Sequence, residues 1–168
     1  MELLKPIVKT NDFANYKKQR AIAKTINSPM IDSLLFQYDL DHYEFNSNWN
    51  EYKKIAATHI ENYVWNSPKE IKSIVLNVMR NSTDAVSLNQ SLSWIKHSNE
   101  LEESYDGILL EARVHRKLNN IPIAITITKK AKAFSTQMGW DGKEADKLLA
   151  DLIERKKIAA KPAAKTKK

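Results

Sequence analysis

ILLEARVHRKL, NN and IPIAITIT, read in order as residues 108–128, decide the fold class of this chain. Ile121, Ile123, Ile125 and Ile127 alternate with Pro122, Ala124, Thr126 and Thr128, which is the period of a strand with one buried face. β-Branched residues favour that conformation. Asn119-Asn120 makes a permissive two-residue turn, because asparagine tolerates positive φ. Pro122 lacks an N–H for the ladder, so the second strand belongs at a sheet edge. The expectation is a β-hairpin at about 108–128, packed on helices because a lone hairpin is marginal in water.

The stretch N-terminal to the hairpin reads as helix. Thr10, Asn11 and Asp12 offer capping oxygens to FANYKKQRAIAKTI, whose outer face carries Lys17, Lys18, Arg20 and Lys24. Ser28-Pro29 and Ser67-Pro68 each place a capping serine before a proline whose missing N–H costs nothing at the first helical position. In the second of these helices Ile71, Ile74, Val75, Val78 and Met79 form a continuous apolar stripe. DLDHYEFNSNWN reads as a polar connector, followed by a helix from about Asn48 to Trp65 with an aromatic stripe. A further helix follows Thr83 or Asp84. The fold class expected is therefore α+β and mostly α-helical, one domain over 1–157 with a disordered basic tail over 158–168.

Charge is distributed unevenly. Residues 1–128 hold fifteen Lys/Arg against fifteen Asp/Glu, and residues 129–168 hold twelve against five, so the formal net charge of +7 sits at the C-terminal end. Excess positive charge of this kind points to an anionic partner. Lys129 to Met138 and Gly142 to Lys157 can form a helix-turn-helix-like pair with Gly139 in the turn and Asp141 as the second N-cap. Phe134, Met138, Trp140, Ala145 and Leu148 are its candidate packed positions, and Ser135 its small residue. A plain helical hairpin in a core has the same pattern. A reading helix would present Asp141, Gly142, Lys143, Glu144, Asp146 and Lys147 to the bases, and the acids there oppose the lysines. The tail is different, since no acid follows Arg155. Its flexible cations suit sequence-independent phosphate contact, and equally a merely solubilising terminus. The candidate nucleic-acid-binding residues are Lys129, Lys130, Lys132, Lys143, Lys147, Arg155, Lys156, Lys157, Lys161, Lys165, Lys167 and Lys168.

Within this stretch, Ala131-Lys132, Gly139, Asp141-Gly142-Lys143 and Leu148-Leu149-Ala150 carry a resemblance. Over about residues 129–152 the chain resembles the small double-stranded-DNA-binding, late-transcription proteins of T-even-type tailed phages. The resemblance implies a phage origin, double-stranded DNA as the partner, and a role in viral or host transcription with RNA polymerase as a further partner.

Enzymatic readings find less support. There is no cysteine, which excludes thiol catalysis and thiolate metal sites. His42, His59, His97 and His115 show no ligand spacing, and three glycines leave no phosphate-binding loop. Glu100, Glu102, Glu103 and Asp106, with Glu111 and Arg113 on the first hairpin strand, outline a Mg²⁺-dependent nuclease. Arg113 stands there where such sites usually carry lysine, and it is the poorer base. The chain lacks a secretory h-region or a run long enough to span a bilayer, so the cytoplasm, a host's if the protein is viral, is the expected compartment. The expected function is non-enzymatic double-stranded-DNA binding through phosphate contacts, with RNA not set aside and no cofactor. The alternatives are a module that binds a host protein such as RNA polymerase, and the nuclease.

Overall fold

The computed structural model describes residues 4–160, and among them are eight helices and no strand. These are α1 (Phe13–Lys24), α2 (Pro29–Phe45), α3 (Trp49–Tyr63), α4 (Pro68–Asn81), α5 (Ala85–Leu101), α6 (Tyr105–Lys117), α7 (Ile121–Gln137) and α8 (Lys143–Ala160). They fall into two compact units, Met1–Ser82 and Thr83–Lys168.

In the first unit the helices start where the local signals put them, although neither the Ser28 nor the Ser67 hydroxyl makes the expected capping hydrogen bond. Asp12 accepts from the Asn15 N–H, and Ser28-Pro29 and Ser67-Pro68 open α2 and α4. Residues 4–9 are turns, and Leu4 and Val8 bury against α1 and α2. The connector expected over DLDHYEFNSNWN is mostly helix, because α2 continues to Phe45. Two polar residues there enter the core by acquiring partners. Asp39, 1% exposed, accepts from the Tyr16 hydroxyl at 2.7 Å and from Arg20 Nε and Nη2, each at 2.7 Å. His42 stacks on Tyr16 and shares a hydrogen bond with the Val8 carbonyl. The turn falls instead at Ser47, with φ of 54°. Burial first, then Asp39, lifts the Tyr16 hydroxyl pKa far above the usual tyrosine range. The Tyr52 hydroxyl is pushed up to about 12, chiefly by burial.

The second unit overturns the hairpin. ILLEARVHRK lies in α6 and IPIAITIT opens α7, so the chain is all-helical over the described residues and the α+β assignment is corrected. The reason is visible at Asn119-Asn120. Asn119 does take positive φ, 61°, but it closes a helix: its N–H bonds the Arg116 carbonyl and the Asn120 N–H bonds the His115 carbonyl. That pair of bonds is a Schellman motif. Asn120 then becomes the N-cap of α7, and Pro122 sits in its first turn, where no intrahelical donor is needed.

The residues that α7 buries are not the isoleucine set. They are Ile121, Ala124, Thr128, Ala131 and Ser135, spaced three and four apart, whereas Ile123 is 48% exposed. This is a heptad-like seam of mostly small residues. α6 supplies Ile108, Leu109 and Ala112 to the same core, and α8 supplies Ala145, Leu148 and Leu152. Isoleucine's weak preference against helix amounts to less than about 0.7 kcal/mol per residue. Burial of a seam between neighbouring helices outweighs it.

Candidate nucleic-acid interface

α7 and α8 are the expected helix pair, and their turn is specified by glycine. Gly139, φ 70°, closes α7: the Gly139 N–H bonds the Thr136 carbonyl and the Trp140 N–H bonds the Ser135 carbonyl. The accompanying apolar contact is Phe134 against Trp140, ring centroids 6.0 Å apart. Gly142 has a steric role, because a Cβ there would lie 2.8 Å from Ser135 Oγ. Ser135, Ala145 and Leu148 are buried in the pair as anticipated, and Phe134 packs at its margin. Met138 and Trp140 are instead about half exposed.

The start of α8 is held by its neighbours. The Asp141 carboxylate accepts from the Lys143 N–H at 2.9 Å, and the Tyr105 hydroxyl of α6 accepts from the Ala145 N–H at 3.2 Å. Asp141 therefore satisfies an orphan N–H although the first helical bond runs from the Asp146 N–H to the Gly142 carbonyl. Four of the five charges that a reading helix would present, all but Lys147, are paired within the chain. Lys143 pairs with Asp141, Asp146 with Lys132, and Glu144 with Arg113. The hydrogen bond from Lys143 holds the Asp141 carboxyl below the usual carboxylate range and raises the Lys143 ammonium.

Other candidate cations are distributed along the two helices. Lys130 pairs with Glu103 and Arg155 with Asp151, while Lys129 and Lys147 are exposed. Leu152 is the last buried residue of α8, and from Ile153 to Ala159 every residue is exposed, Arg155, Lys156 and Lys157 among them. α8 therefore continues as helix through Ile158, where the tail was expected to begin. Lys161, Lys165, Lys167 and Lys168, and the expected disorder there, lie outside the described residues.

α6 meets α8 at three places: Tyr105 at Ala145, Arg113 at Glu144 and Arg116 at Asp151. The C-terminal part of α6 carries Arg116 and Lys117, and that of α8 carries Arg155, Lys156 and Lys157. Arg113 and Arg116 were not among the sequence-derived nucleic-acid-binding candidates, Arg113 having entered only the nuclease reading. A strand over 108–118 would put these two residues, three apart, on opposite faces, and only a helix brings this i, i+3 pair to the side facing α8.

The acidic residues behind the nuclease reading go to separate partners. Glu103 binds Lys130, Glu111 accepts from Asn99, and Glu100 lies 4.0 Å from His97. Glu111 stands on α6 rather than on a strand. Among the described residues no group of three or more His, Asp or Glu is placed to hold a metal ion. No described helix is long and apolar enough to cross a membrane. Comparison of the chain with protein-family models, with curated proteins and with solved structures finds no match.

Proposed function

We propose that this protein is a non-enzymatic, double-stranded-DNA-binding protein of phage origin that grips the phosphate backbone with α8 and the basic residues following it. One observation carries the reading: from Ile153 to Ala159 every residue of α8 is exposed, and this stretch presents Arg155, Lys156 and Lys157. In sequence they lead directly to Lys161, Lys165, Lys167 and Lys168. A helix retained past its last core contact has no packing role there, and neutralisation of phosphates with release of counterions gives its cations one. Sequence-specific reading from the start of α8 is disfavoured, since Asp141, Glu144 and Asp146 surround the lysines there. A role in viral or host transcription, in the host cytoplasm, accords with the resemblance over residues 129–152.

The rival reading, a module that binds a protein such as RNA polymerase, draws on a different place. Ile22, Ile26 and Met30, 53%, 57% and 74% exposed, cluster in sequence around the α1–α2 turn.

Titration of a short DNA duplex by the full chain at several salt concentrations tests the proposal. Binding should weaken steeply with salt, and deletion of residues 158–168 should reduce the slope of log K against log salt by up to about 3.6, at 0.9 for each of the four lysines removed. Absence of binding by the full chain at low salt would refute it.

A further inference from the structure

The geometry points to the groove between α6 and α8 as a phosphate track for duplex DNA, an assignment that rests on the DNA-binding reading and gives it a surface. The groove, of about 350 Å³, is lined by Arg113, Arg116, Glu144, Lys147, Leu148 and Asp151. Leu148, 6% exposed, is its floor.

The cations outnumber the acids along this line. Arg113 Nη2 lies 2.5 Å from Glu144, Arg116 Nη1 lies 3.4 Å from Asp151, and Arg155 Nε lies 3.0 Å from the same Asp151 oxygen. A single carboxylate thus serves two guanidiniums, and Lys147 adds a further ammonium between the two clusters. Counting Arg155, four cations face two acids. These ion pairs are solvent-exposed, with side-chain accessibilities between 37% and 64%. Exposed pairs of this kind contribute little to stability, and their partners exchange cheaply. Guanidinium forks bind phosphate oxygens bidentately, with stronger charge-assisted hydrogen bonds than neutral groups provide.

The spacing suits an extended polyanion. Glu144, Lys147, Asp151 and Arg155 follow one face of α8 over about 16 Å at 1.5 Å per residue. That length matches the axial rise of about five phosphates in one DNA strand at 3.4 Å each. The track leads along α8 to the exposed Lys156 and Lys157. Asp151 acts as a placeholder that a phosphate displaces from two arginines at once.

The test uses the full chain and a 20-base-pair duplex, with affinity measured from low to moderate salt. R113A/R116A/K147A should bind at least tenfold more weakly at low salt, with the log–log slope reduced by about 2 to 3. Lys96→Ala, at an exposed lysine of α5 outside the groove lining, should leave the slope unchanged. Asp151→Asn is the decisive variant. A purely structural ion pair predicts weaker or unchanged binding on its removal, whereas a phosphate track predicts binding tighter by about threefold, the repulsion of one charge at roughly 6 Å in water. Wild-type affinity in the triple variant, or no tightening in D151N while the wild type binds, overturns the groove assignment and leaves the DNA-binding reading standing. No binding by the wild-type chain removes both.

Discussion

Two substitutions one residue apart separate the helical fold from the hairpin that the isoleucine alternation suggests. Ala124 is 0% exposed in the seam of α7, and Ile123 beside it is 48% exposed. Ala124→Leu adds three carbons to a site with no space, and overpacking of this kind costs about 1–3 kcal/mol. Ile123→Ser removes a side chain only half withdrawn from water, so about half of the roughly 1.5–3 kcal/mol of a fully buried aliphatic, near 1 kcal/mol, is lost. A hairpin reverses the order. There Ala124 faces solvent and its enlargement falls within about 0.5 kcal/mol of neutral, while Ile123 shares the buried face of Ile121. A buried Ile-to-Ser change costs about 3 kcal/mol or more once the hydroxyl is left unpaired. Urea denaturation of both variants, followed by far-UV circular dichroism and tryptophan fluorescence, gives the comparison. A lower midpoint for I123S than for A124L, with unchanged m-values, would refute the assignment of α7.

The first unit supports two further predictions. Removing Arg20 leaves the Asp39 carboxylate, 1% exposed, with the Tyr16 hydroxyl as its remaining side-chain donor in the cluster. R20A should cost about 2–4 kcal/mol, below the range for a fully buried pair because Arg20 itself is 34% exposed. In R20A/D39A the combined loss should fall short of the sum of the single losses by at least about 1 kcal/mol, and additivity within 0.5 kcal/mol would end the argument. The raised pKa of Tyr16 also predicts alkaline sensitivity. The folded protein binds that proton more tightly than the unfolded chain, so the contribution is fully present below the unfolded value of 10.0 and is lost as pH rises above it. The loss should approach about 1.4 kcal/mol per pH unit for Tyr16, with a similar addition from Tyr52 up to about pH 12. Urea midpoints at pH 10 and 11 should fall less steeply in Y16F than in the wild type, and equal slopes would show that Tyr16 is not the group.

Local chemistry was readable wherever a short segment completes its own hydrogen bonds. Asp12 and Asp84 mark helix starts because a cap needs only its own next residues, and the two Ser-Pro pairs do so because proline in the first turn lacks only an N–H that the helix does not use. Gly139 marks the α7–α8 turn because positive φ is a property of one residue. The stripe of α4 is long and regular enough to name its buried face. The charge asymmetry of the chain is likewise a property of sequence alone.

Tertiary structure decided what those signals meant. Asn119 was correctly identified as tolerant of positive φ, but that φ serves a two-residue hairpin and a helix C-terminus equally, and only the partners of its neighbours choose. The isoleucines at 121, 123, 125 and 127 satisfy a strand's period, while the small residues that matter, Ala124, Thr128, Ala131 and Ser135, carry little hydrophobic signal. Their role exists only once α6 and α8 approach closely enough to need them. Asp39 and His42 looked like connector residues because polarity is legible in a sequence and a buried partner is not. The candidate site follows the same logic. The number of basic residues was visible from the start, but which of them are engaged by Asp141, Glu144, Asp146 or Asp151, and that Arg113 and Arg116 stand across from α8, depends on distances that no linear spacing contains.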